Sequence, residues 1–115
     1  AAAHAVNDGF AQEPQAHGMY HGEKVAFGTL VQLVLEKAPQ EELEQVLAFL
    51  RDTGLPLTLA QLGVKEIVPE TLKKVAEAAV VPTQSTENLR ADITAQEVYD
   101  AILEADRIGR DYLAR

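Results

Sequence analysis

Cysteine is absent from this chain, which removes disulfides, thiolate zinc sites and thiol nucleophiles together. A metal ion would have to be held by histidine and carboxylate alone. Long apolar runs are missing too. The longest, Val25 to Leu35, is interrupted by Gln32 and stops short of the ~20 residues that a membrane-spanning helix needs. Positive charge is scarce: 10 Lys and Arg face 18 Asp and Glu, for a net charge of −8 and a pI near 4.7. Such a surface repels nucleic acid and anionic membranes, so neither is expected as a partner. No Gly-x-Gly-x-x-Gly and no P-loop occurs, and the chain therefore has no phosphate cradle of its own. Its first residues, Ala1-Ala2-Ala3-His4, show neither an initiating Met nor a basic segment before an apolar core, and they read as part of something longer.

What the chain does have is an ordinary globular balance, 47% apolar and 24% charged residues in 115, enough for one domain around one core. Apolar residues recur at helical spacing almost throughout, and no period-2 segment stands out, which predicts an all-α helical bundle over 1–115. A first helix runs through Ala5 and Val6 to about Phe10 and ends in Gln12-Glu13-Pro14-Gln15. The second, from near His21 to about Lys37, carries apolar residues around most of its circumference and should be buried on several sides.

A third helix is expected from Pro39 to about Thr53, with acid in its first turn, Leu43, Val46, Leu47 and Leu50 inward, and Gly54 just past its end. A short helical turn is expected at Leu59 to Leu62, then a helix from about Pro69 to Val80 with Leu72, Val75, Ala76 and Ala79 inward. Val81 to Asp92 is the longest predicted loop. The last helix has the clearest start, a capping box of Thr94 and Glu97, and should reach about Leu113 with Val98, Ala101, Ile102, Ala105, Ile108 and Tyr112 inward. Arg107, Arg110 and Asp111 fall on its water face.

Chemistry-bearing candidates are few. All three histidines, His4, His17 and His21, lie near the start of the chain. His4 falls inside the first helix and His21 at the mouth of the second, a placement that lets two imidazoles converge across a helix–loop–helix, and imidazole nitrogen suits zinc. There is no HxxxH or HExxH, and spacing singles out no carboxylate as a third ligand. Asp8, Glu13 and Glu23 read as solvated helix-end charges, and Tyr20 as a residue that packs against the helix start.

Two blocks, Ala2-Ala3-His4-Ala5-Val6-Asn7-Asp8-Gly9-Phe10 and Tyr20-His21-Gly22-Glu23-Lys24-Val25-Ala26-Phe27-Gly28, resemble the iron-containing, or group III, alcohol dehydrogenase family. The likeness continues through Leu30 to Glu36, Thr53 to Ala60, Lys74 to Ala79 and Val98 to Ile102, and so covers nearly the whole chain. It implies that 1–115 is the C-terminal, helical, metal-binding part of a dehydroquinate synthase-like, two-domain subunit whose N-terminal NAD-binding domain lies outside this chain. The implied reaction is oxidation of glycerol to dihydroxyacetone in a cytoplasmic homo-oligomer. The implied zinc is held by one Asp and two His; the histidine motifs match His4 and His21, and the Asp motif lies upstream of this chain. His17 matches neither motif. By this reading the chain alone is inactive. The alternative expectation is a non-catalytic helical interaction or oligomerisation module.

Overall fold

Where the apolar periodicity is helical the backbone is helical, as a computed structural model shows; it describes residues 2–80 and 93–115, with side chains from residue 5 onward. Among the described residues there are five α-helices, α1 (Ala2–Gly9), α2 (His21–Leu35), α3 (Gln40–Thr53), α4 (Pro69–Val80) and α5 (Ala95–Leu113), and no strand. Two 3₁₀ turns, Phe10–Gln12 and Pro14–Ala16, connect α1 to α2. The predicted loop from Val81 to Asp92 lies outside the described residues.

Helix ends follow local chemistry. At the start of α5 the Glu97 N–H donates to Thr94 Oγ1 at 3.1 Å while the Thr94 N–H donates to Glu97 Oε1 at 3.1 Å, which is the predicted capping box. α3 begins after Pro39, carries Glu41 and Glu42 in its first turn, and ends at Gly54 with φ of 74°. α2 stops at Leu35, two residues before the expected Lys37, because Lys37 turns left-handed with φ of 54°. There the Ala38 N–H closes the helix end by donating to Leu33 O at 3.0 Å. The short helical turn expected at Leu59 to Leu62 is present as a single turn: Leu62 N–H reaches Thr58 O at 3.1 Å, and Gly63 with its φ of 101° ends the winding at once.

The core is shared by all five helices. α1 and α5 each pack on both α2 and α4, and α3 lies against α2 and α5. Phe10 meets Phe27 edge-on, with ring centroids 6.1 Å apart and planes at 79°, among Leu30, Leu72, Val75, Val98 and Ile102, all buried. Glycines mark where backbones cross. A Cβ at Gly9 would collide with Val75 O where α1 meets α4, and one at Gly109 would collide with Leu57 O where α5 meets the segment before the turn.

Beside Gly109 the buried carboxylate of Asp106 accepts the Leu59 N–H at 2.8 Å and the Arg110 Nε–H at 3.0 Å. The inner face of α5 is therefore not wholly apolar. Asp106 and Gly109 belong to it, while Ile108, expected inward, is half-buried.

Candidate metal site

α1 leads into the site. Its polar Asn7 sits between buried Val6 and the exposed Asp8, and Asn7 itself is only 6% exposed. The connection that follows is compact because each 3₁₀ turn closes on itself: Glu13 N–H donates to Phe10 O at 3.0 Å, and Pro14, with its φ fixed, opens the second turn, closed by His17 N–H to Pro14 O at 3.2 Å. The chain is thereby returned to α2, whose first residue is His21. Tyr20 just before it has its N–H accepted by Glu23 Oε1 at 3.1 Å, which places a carboxylate in the electropositive first turn.

His21 is exposed, and its Nδ1 lies 3.1 Å from Asn7 Nδ2. His4 lies on α1 one turn before Asn7, so its backbone position shares the face of α1 that meets His21; its side chain is outside the described residues. The structure thus brings the start of α2 onto the middle of α1. His17 is not drawn in. Its Nε2–H donates to Ala11 O at 3.0 Å, which gives that ring a local task in pinning the turn.

Four residues of this region have surroundings that the sequence reading missed or misread. Gln15 joins the connection to the stretch before α4: its Oε1 accepts the Lys65 and Glu66 N–H groups at 3.1 Å each, and its Nε2 donates to Glu66 O at 2.8 Å and Glu13 Oε1 at 2.7 Å. Glu13, expected to be solvated, is 2% exposed. Tyr20, expected to pack, is 81% exposed and stands beside His21. Only Asn7 carried a usable signal, a carboxamide directly after the apolar pair Ala5 and Val6.

Among the described residues no group of three or more His, Cys, Asp or Glu side chains is gathered closely enough to hold a metal ion. Two imidazoles from α1 and α2 nevertheless suit a borderline cation such as zinc. The surroundings of His21 suit it as well: a ligating imidazole usually bonds a polar group through its other nitrogen, and here that group is a buried carboxamide whose Oδ1 has no partner. A groove lined by Val34, Leu35, Lys37, Glu97, Asp100 and Glu104 lies at the opposite end of α2, about 20 Å from His21 at ~1.5 Å per residue, and has no part in this arrangement.

No family model matches the chain. It is 53% identical to a glycerol dehydrogenase of Escherichia coli O6:H1 over 113 residues, 98% of this chain and 31% of that protein. A solved structure of a probable glycerol dehydrogenase from Sinorhizobium meliloti 1021 is 43% identical, with a TM-score of 0.89 over 96% of this chain and 32% of that one. Another, glycerol dehydrogenase from Schizosaccharomyces pombe, is 36% identical, with a TM-score of 0.90 over 97% of this chain and 29% of that one. The chain spans about a third of the length of the curated relatives it matches. With identity and backbone agreeing over nearly all of its residues, this chain is a helical part of the glycerol dehydrogenase family.

Proposed function

We propose that this chain is the metal-holding helical domain of an NAD-dependent enzyme that oxidises glycerol to dihydroxyacetone, with His4 and His21 as two of the protein ligands to zinc. The observation that carries the reading is the docking of the start of α2 on α1, with His21 Nδ1 3.1 Å from an amide one turn after His4. Zinc, when bound, supplies Lewis acidity that lowers the pKa of a substrate hydroxyl, and NAD accepts hydride. Around that chemistry the chain's own residues have defined tasks. Two neutral imidazoles give uncharged nitrogen donors, the 3₁₀ turns fix the separation of α1 from α2, and Gln15 holds the connection against the stretch before α4. A third, anionic ligand and the nicotinamide site come from outside this chain.

In the same reading the enzyme is a cytoplasmic homo-oligomer, and exposed Phe49, Ile67 and Val68 are suited to contacts with other parts of it. The test uses the full-length protein. His4→Ala and His21→Ala are each expected to lower zinc content and abolish NADH formation from glycerol, with His21→Ala leaving helicity unchanged because His21 is exposed. Full activity in either variant would refute the assignment.

A further inference from the structure

Resting on the reading of His21 as a ligand, we propose that Asn7 is its positioning residue, holding the ring through Nδ1 and accepting a hydrogen bond from Nδ1–H when Nε2 binds a divalent cation. A carboxamide is an expensive side chain in this place. Asparagine is a mediocre helix former, and Asn7 is 6% exposed on a helix whose neighbouring Val6 and Phe10 are core residues. Its side-chain nitrogen reaches Asp8 Oδ1 at 3.4 Å and His21 Nδ1 at 3.1 Å, while its oxygen is buried without a partner. A purely structural amide would be expected to satisfy that oxygen.

The imidazole explains the choice. Facing Nδ2, the Nδ1 of a neutral His21 carries the lone pair and Nε2 carries the proton. A ring that ligates through Nε2 has the opposite tautomer, with the proton on Nδ1, and that proton needs an acceptor. A half-turn of the Asn7 amide exchanges its two ends, bringing the unpartnered Oδ1 to where Nδ2 stands, at the same distance from Nδ1. Asp8, exposed and only loosely engaged, swings to water. An amide can serve both tautomers; leucine serves neither, and a carboxylate serves only the ligating one.

The experiment measures zinc affinity by chelator competition in the full-length protein, beside ¹⁵N spectra of histidine-labelled samples in which the His21 signals are identified by their loss in His21→Ala. Asn7→Leu is expected to weaken zinc binding about 10–100-fold, and Asn7→Asp to keep it within a few-fold of the parent or tighten it. Zinc-loaded parent protein should show the His21 proton on Nδ1. Undiminished affinity in Asn7→Leu, or a proton on Nε2 in the zinc-loaded parent, would overturn the proposal. Should Asn7→Leu fail to fold, the tautomer and the Asn7→Asp affinity decide. Undiminished zinc binding in His21→Ala would overturn the ligand assignment itself, a separate result.

Discussion

Residue by residue, the firmest constraints lie where α5 meets the segment around Leu57 to Leu59. Asp106 gives that segment a buried acceptor, and Gly109 leaves room for its backbone. Replacing Asp106 with Ala strips the acceptor from the Leu59 N–H and leaves a buried donor unpaired, which is expected to cost about 2–3 kcal/mol in urea unfolding. Asp106→Asn keeps an oxygen there and should cost less. Gly109→Ala should cost at least as much as Asp106→Ala, because the colliding atom is the rigid backbone carbonyl of Leu57. Both changes loosen one segment, so the double variant should lose less than the sum of the singles. A strictly additive double variant would show that the two contacts act independently.

The helices themselves depend on capping and on a few surface pairs. Thr94→Ala removes the side-chain acceptor for the Glu97 N–H and is expected to lower stability by about 1 kcal/mol, read as a fall in Tm. α3 and α5 are joined by Arg115, whose Nη1 is 2.8 Å from Glu44 Oε2, and by Tyr112, over which Arg51 and Arg115 lie at 5.2 and 5.1 Å. The Arg115 hydrogen bond holds the Glu44 carboxyl below its ordinary value of 4.5. A lowered folded value stabilises the protein above 4.5, and that contribution is lost as pH falls through the lower value. The stability gap between the parent and Glu44→Gln should accordingly be largest near neutral pH and close in acid. A gap independent of pH would rule out the ion pair as its source.

Much of this architecture could be read beforehand because helical repeat, capping box and helix-ending glycine are local signals. α4 and α5 lie where Pro69, Val80, Thr94 and Leu113 predicted. Left-handed Lys37 was not legible, since it is settled by how the chain leaves one helix for the next. For the site, residue type and motif nominated His4 and His21, whereas Asn7 and Gln15 take their meaning from partners 14 and 50 residues along the chain. Hydrophobic pattern counts such residues as surface.

At the scale of the whole molecule, the proposed function makes the chain one side of a reaction centre. Supplied with glycerol, NAD and zinc, the 115-residue polypeptide is expected to make no NADH, because two imidazoles lack the anionic ligand and the nicotinamide site. NADH formation above the buffer rate would mean that the chain contains a complete site. The Gln15 contacts with Lys65 and Glu66 carry a further consequence, one of timing. They span 50 and 51 residues of sequence, so during synthesis Gln15 leaves the ribosome well before the amides it will bind. At roughly 5–20 residues per second that wait lasts about 3–10 s. Through that interval the stretch leading to His21 has no distant anchor. A nascent chain stalled before residue 65 should be cut by protease between α1 and α2, and one released beyond the start of α4 should resist.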